Sequence, residues 1–86
     1  MICVYVLKSL KVDYRYIGST INLKNRLIEH NNGQVFSTKN RRPLKLFAYQ
    51  KCDNIKRARF LEHKYKKSRG SYEKAIIKGL LIVVGA

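Results

Sequence analysis

Residues 2–7, ICVYVL, form an unbroken run of β-branched, aromatic and aliphatic side chains, a pattern that suits a strand. Ser9–Asp13 is a polar connection, and Tyr14–Gly18 reads as a second strand, so the two are expected to form a hairpin. Gly18-Ser19-Thr20 is then expected to turn the chain. Asn22 can N-cap a helix whose apolar members are Leu23, Leu27 and Ile28, and Asn31-Asn32-Gly33 stops it. Residues 34–43, QVFSTKNRRP, make a basic polar loop closed by Pro43. LKLFAYQK, residues 44–51, alternates as a third strand does. Asp53 or Asn54 caps a second helix reaching about Ser68. Gly70 is expected to end it, and Ser71 to cap a third helix with Glu73 in its first turn. The resulting order is β-β-α-β-α-α.

No repeat, linker or low-complexity segment interrupts this pattern, and 86 residues fit a single domain spanning 1–86. A chain of that length buries roughly 60–65% of its unfolded surface, enough for one modest core. The apolar end GLLIVVGA falls far below the roughly 20 residues that a bilayer span needs. It is expected to pack on the domain or stay partly exposed. MICVYVLKS lacks the basic flank and the apolar length of a signal peptide. Cys3 and Cys52 are isolated, which suggests reduced thiols and a cytoplasmic setting. A zinc site from Cys3, Cys52, His30 and His63 has no paired ligand spacing to support it.

Charge changes the picture. Nineteen Lys and Arg against five Asp and Glu give a net charge of +14. Self-repulsion on that scale opposes compaction, so a polyanionic partner is the natural counterweight. Nucleic acid leads, because each neutralised phosphate releases counterions and adds affinity. An anionic membrane surface is the competitor, and no stable membrane association is expected. Lys39, Arg41 and Arg42 in the loop, with Lys56, Arg57, Lys64, Lys66 and Lys67 on the second helix, are the candidate nucleic-acid-facing cations. Each taken singly is also an ordinary solvated charge.

On a helical wheel, Leu23 and Leu27 centre the buried stripe of the first helix. His30 falls almost on that stripe, and Arg26 lies at its edge. They are either a packed histidine beside a snorkelling arginine or parts of a site. On the second helix, Ile55, Ala58, Leu61 and Tyr65 define the apolar arc, and Glu62 lies inside it. A carboxylate there must be paired or metal-bound. It is either the ion partner of Arg26 or the ligand of a divalent cation. Glu29 and His63 read as surface residues. Ser19 and Thr20 could donate to a phosphate or simply shape a turn.

Tyr5 in CVYVL, YIG at 16–18, Arg26-x-x-x-His30 and Glu62 on a later helix together resemble the GIY-YIG nuclease superfamily. The resemblance covers roughly residues 3–75. It is closest to small single-domain bacterial members, which share a VY first motif and an Arg-Arg-Pro, here Arg41-Arg42-Pro43, before the third strand. It implies an α/β (α+β) fold: a small three-stranded, largely antiparallel sheet flanked by helices. It further implies a metal-dependent endonuclease acting on nucleic acid, DNA first, with Mg²⁺ or Mn²⁺ as cofactor. By the same resemblance, Tyr5 and Tyr16 would sit side by side near the scissile phosphate. Arg26 would stabilise that phosphate, His30 would assist proton transfer or positioning, and Glu62 would ligate the metal. The first motif departs from the family in reading Cys3-Val4-Tyr5 instead of Gly-Ile-Tyr. An asparagine that some members carry on the last helix has no match near Ser71–Lys74. A non-catalytic nucleic-acid-binding module is the alternative. Low specificity, or a protein partner that supplies it, is expected of so small a member.

Overall fold

The computed structural model describes residues 1–84. The chain forms β1 (Cys3–Ser9), β2 (Arg15–Thr20), α1 (Leu23–Asn31), a 3₁₀ turn at Lys39–Arg41 and β3 (Leu44–Lys51). Then follow α2 (Ile55–Lys67), α3 (Arg69–Ile77) and a two-residue strand β4 (Ile82–Val83). The expected order of elements and the mixed α and β class hold.

The sheet, however, has four strands, not three, in the order β2-β1-β3-β4, with every adjacent pair antiparallel. The added strand comes from the apolar end of the chain. Leu81 is buried, and the Val84 N–H donates to the Phe47 carbonyl at 2.8 Å. This stretch therefore packs against the edge of β3, while Ile82 and Val83 stay about half exposed. The final two positions of the expected apolar tail lie outside the described residues.

β1 lies in the middle of the sheet, with Cys3 through Leu7 fully buried. Side chains of a strand alternate between faces, so this one run supplies two cores. Val4 and Val6 pack with Ile17, Ala48, Leu61, Tyr65, Tyr72, Ala75 and Leu81 on the α2–α3 face. Cys3, Tyr5 and Leu7 pack with Leu23 and Leu44 on the α1 face.

Gly18-Ser19-Thr20 is not a turn. These residues continue β2, paired with Tyr5, Val4 and Cys3. The glycine is needed for space, because a Cβ there would lie 2.6 Å from the Tyr5 hydroxyl. The hairpin connection lies after Ser9, where the sequence places it, and the Ser9 hydroxyl shapes it by accepting from the N–H groups of Lys11 and Val12. In α1, Asn22 caps as expected, but Ile28 is exposed. Leu23, Leu27 and His30, spaced i, i+4 and i+7, turn toward the sheet. Asn54 caps α2, and Gly70 does not end it. Ser68, in an extended conformation, closes α2 and caps α3 by accepting from the Ser71 N–H at 3.1 Å. Gly70 then falls in the first turn of α3.

Candidate active site

On the α1 face, three hydroxyl and imidazole groups form a chain inside the protein. Tyr5 projects from β1 into the space that Gly18 leaves open, and its hydroxyl lies 2.8 Å from His30 Nε2. His30 Nδ1 lies 2.7 Å from Thr38 Oγ1. Tyr5, His30 and Thr38 all have 0% exposure. Burial, reinforced by the Arg26 charge, lowers the His30 pKa to about 4, so the ring is neutral at pH 7. A neutral imidazole carries one N–H, and each neighbouring hydroxyl can donate or accept, so either tautomer completes the chain. Burial also pushes the Tyr5 phenol above its ordinary range, against the pull of the Arg26 guanidinium. The chain is thus a neutral one.

Tyr16, half-buried, closes the other side of this chain. Its ring centroid is 5.0 Å from that of His30 and 6.2 Å from that of Tyr5. Arg26 sits at the rim with its side chain 36% exposed, and donates from Nη1 to Glu29 Oε1 at 2.9 Å. Hydrogen bonding to Glu29 is the main reason that its pKa is raised, with Tyr5 next. Glu29 is therefore a partner of the arginine and not only a solvated residue.

Glu62 reaches the same region from α2, around the free edge of β2. Its Oε1 accepts from Ser19 Oγ at 2.5 Å, and its Oε2 lies 2.7 Å from Lys66 Nζ. The Glu62–Arg26 ion pair, one of the two alternatives for this carboxylate, does not form, since each charge has another partner. Glu62 still bears on the buried chain, because its negative charge is one of the causes that raise the Tyr5 pKa. Lys66 joins the two halves, with Nζ 5.7 Å from the centroid of Tyr16.

This constellation sits within a stretch, residues 1–77, that matches the family model described as the GIY-YIG catalytic domain. The chain belongs to the GIY-YIG family. It is thus a domain of a nuclease family, for which nucleic acid is the substrate class. No curated protein and no solved structure matches it.

Within this GIY-YIG domain, the Cys3 that replaces the motif glycine is a buried thiol, its pKa raised to about 11 by burial. It leaves Tyr5 in place on β1. The last helix, RGSYEKAII, contains no asparagine. Among the described residues no three His, Cys, Asp or Glu side chains converge on a metal position, which sets the zinc arrangement aside. A cation held by Glu62 would be bound through a single carboxylate, which Ser19 and Lys66 also contact. Mg²⁺ tolerates such a donor set, because it keeps several waters and takes one or two carboxylates together with phosphate oxygens. No helix among the described residues is long and apolar enough to cross a membrane.

The candidate cations divide by position. Lys39 and Arg41 are carried on the 3₁₀ turn next to Thr38, and Arg42 donates to the Lys39 carbonyl at 2.7 Å. Lys66 is in the site itself. Lys56, Arg57 and Lys67 line exposed parts of α2, whereas Lys64 faces a cleft with Lys74 of α3 and Lys78 just after it. Sequence reasoning misses Thr38, because a threonine in a basic loop carries no periodic signal. Ser19, expected to meet a phosphate or shape a turn, serves as the partner of Glu62.

Proposed function

We propose that this domain is a metal-dependent endonuclease hydrolysing phosphodiester bonds in nucleic acid, with DNA as its first substrate. The observation that carries this reading is the meeting, at one edge of β2, of a neutral proton chain, an arginine and a carboxylate. Phosphoryl transfer needs mainly positioning and charge neutralisation, and a guanidinium offers a rigid fork of donors for phosphate oxygens. Arg26 serves that role from the rim, with Glu29 orienting it. His30, neutral at pH 7, can take a proton from Tyr5 while Tyr5 takes one from outside, so no lasting phenolate is needed in the buried site. Thr38 holds the far side of the ring. Tyr16, the more accessible phenol, borders the position of the reacting phosphate.

Glu62 would hold Mg²⁺ or Mn²⁺, which when bound supplies Lewis-acid stabilisation of phosphate charge. Ser19 keeps one carboxylate oxygen aimed at the β2 edge. The test is nicking of supercoiled plasmid by purified protein, with Mg²⁺ or Mn²⁺ and with EDTA. Cleavage that needs the metal and is lost in Glu62→Ala is the expected result. Folded protein that cuts no plasmid, branched DNA or single strand under any metal overturns it.

Two observations favour a second reading, a binding module without catalysis. Lys66 already places an ammonium on Glu62 Oε2, and Tyr5 is closed off from solvent. That reading requires nucleic-acid affinity to be the same with and without metal, and the same in wild type and Glu62→Ala.

A further inference from the structure

Away from the GIY-YIG residues, the hairpin end of the sheet carries a concentration of positive charge that the family motifs do not explain. Arg15 of β2 and Lys45 of β3 are the cross-strand partners of Lys8 of β1. Three cations therefore cross three adjacent strands in one row, on the face covered by α3. Like charges directly opposite one another destabilise a sheet. None of the three is in an ion pair within 4.0 Å among the described residues.

Two of these cations are held in place. The Arg15 guanidinium carbon lies 4.2 Å from the centroid of the buried Tyr72 ring, and Lys8 Nζ lies 3.8 Å from that of Phe47. A guanidinium stacked on a ring keeps its N–H donors in its own plane, free for a phosphate. Two adjoining clefts, of about 590 and 320 Å³, both take Lys8, Arg15 and Arg69 as walls. Asp13 lines the first cleft and Glu73 the second. Glu73 meets Arg69 at 3.6 Å with both side chains mostly exposed, a pairing worth little in water.

We propose that this cleft is a second phosphate-binding site for the nucleic-acid strand, in which Lys8, Arg15 and Arg69 grip the backbone away from the residues proposed to cut it. Arg15 and Ser19 are four residues apart on β2, about 13 Å. That separation is close to four base-pair rises of duplex, roughly 3.4 Å each. One strand can thus follow the free edge of β2 from Glu62 and Lys66 to the cleft. The inference rests on the nuclease reading for the identity of the polyanion. Its test uses binding alone.

Affinity for a fluorescein-labelled DNA duplex is measured by anisotropy across a salt series, with EDTA present so that cleavage plays no part. The slope of log affinity against log salt counts phosphate contacts, at roughly 0.9 per contact. The triple variant Lys8→Gln, Arg15→Gln, Arg69→Gln is expected to lower the slope by roughly 2 to 3. A charge-matched triple, Lys51→Gln, Lys74→Gln, Lys78→Gln, is expected to lower it by less than about 1. Equal slopes for the two triples overturn the proposal. If the first triple fails to fold, as read by circular dichroism, Arg69→Gln alone carries the test, because that side chain is 78% exposed. It is expected to remove about 0.9 of slope, and an unchanged slope overturns the proposal. A protein that binds through this cleft but never cuts refutes the nuclease reading and leaves the site standing.

Discussion

The two halves of the candidate site are built on opposite physical terms. On the α1 face, Tyr5, His30 and Thr38 are fully buried and share neutral hydrogen bonds. Across the β2 edge, Glu62, Ser19 and Lys66 form a charged cluster, with the lysine side chain 48% exposed and the glutamate side chain 24% exposed. A buried polar chain is costly to break, because any member left alone loses both water and partner. An ion pair near solvent contributes little to stability and re-forms easily with another ion. The first half is therefore part of the fold, and the second is free to exchange partners when a metal or phosphate arrives.

His30→Ala should break that contrast most severely. It leaves the Tyr5 and Thr38 hydroxyls facing a cavity, a destabilisation of about 3–5 kcal/mol measurable by urea unfolding. A loss below about 1 kcal/mol would mean that the buried chain does not hold the fold.

The pH dependence of stability is the next largest effect. The His30 pKa in the folded protein, about 4, lies below the ordinary 6.5, so the unfolded chain takes up its proton first as the solution is acidified. Stability from this residue is complete above pH 6.5, falls between pH 6.5 and 4, and changes no further below that window. The loss is about 3 kcal/mol at most. A His30→Gln variant should lack this slope, and an identical slope in the variant would assign it to another group.

Gly18→Ala acts on the buried chain through its neighbours. The new methyl would lie 2.7 Å from Tyr5 Cζ and 2.9 Å from Tyr16 Cε2. Shifting both rings should cost about 1–3 kcal/mol and reduce nicking by on the order of 100-fold. Full activity would show that the ring positions are not critical.

Glu62→Gln should have the smallest effect on stability, within about 1 kcal/mol, since it removes one exposed ion pair and keeps a hydrogen-bond acceptor for Ser19. Nicking should nevertheless fall by roughly 100-fold or more. A large drop in melting temperature would erase the distinction between the two halves.

Much of this site is legible along the chain. Motif spacing and helical position pick out Tyr5, Tyr16, Arg26, His30 and Glu62; the structure gathers the first four on the α1 face and sets Glu62 on α2 against Ser19 of β2. Glu62 and Arg26 also show the limit of such reading. Their opposite charges and inward-leaning positions suggest a pair, yet Glu29 lies one turn from Arg26, and Lys66 one turn from Glu62. Local partners on the same helix outcompete the long-range one. The preference of glycine for turns points to a turn at Gly18, whereas its actual use depends on a ring that arrives from another strand.

Sequence alone determined the alternation of strands and helices, the cap at Asn22, the excess positive charge and the family motif. These depend on side chains close in the chain or on simple counts. Tertiary structure decided that Thr38 meets His30 and that Ser19 meets Glu62. It also decided that the chain's apolar end becomes a fourth strand and that Lys8, Arg15 and Arg69 share a cleft. Each of those contacts joins residues from separate elements, and only the packing of two helical layers on one sheet brings them within bonding range.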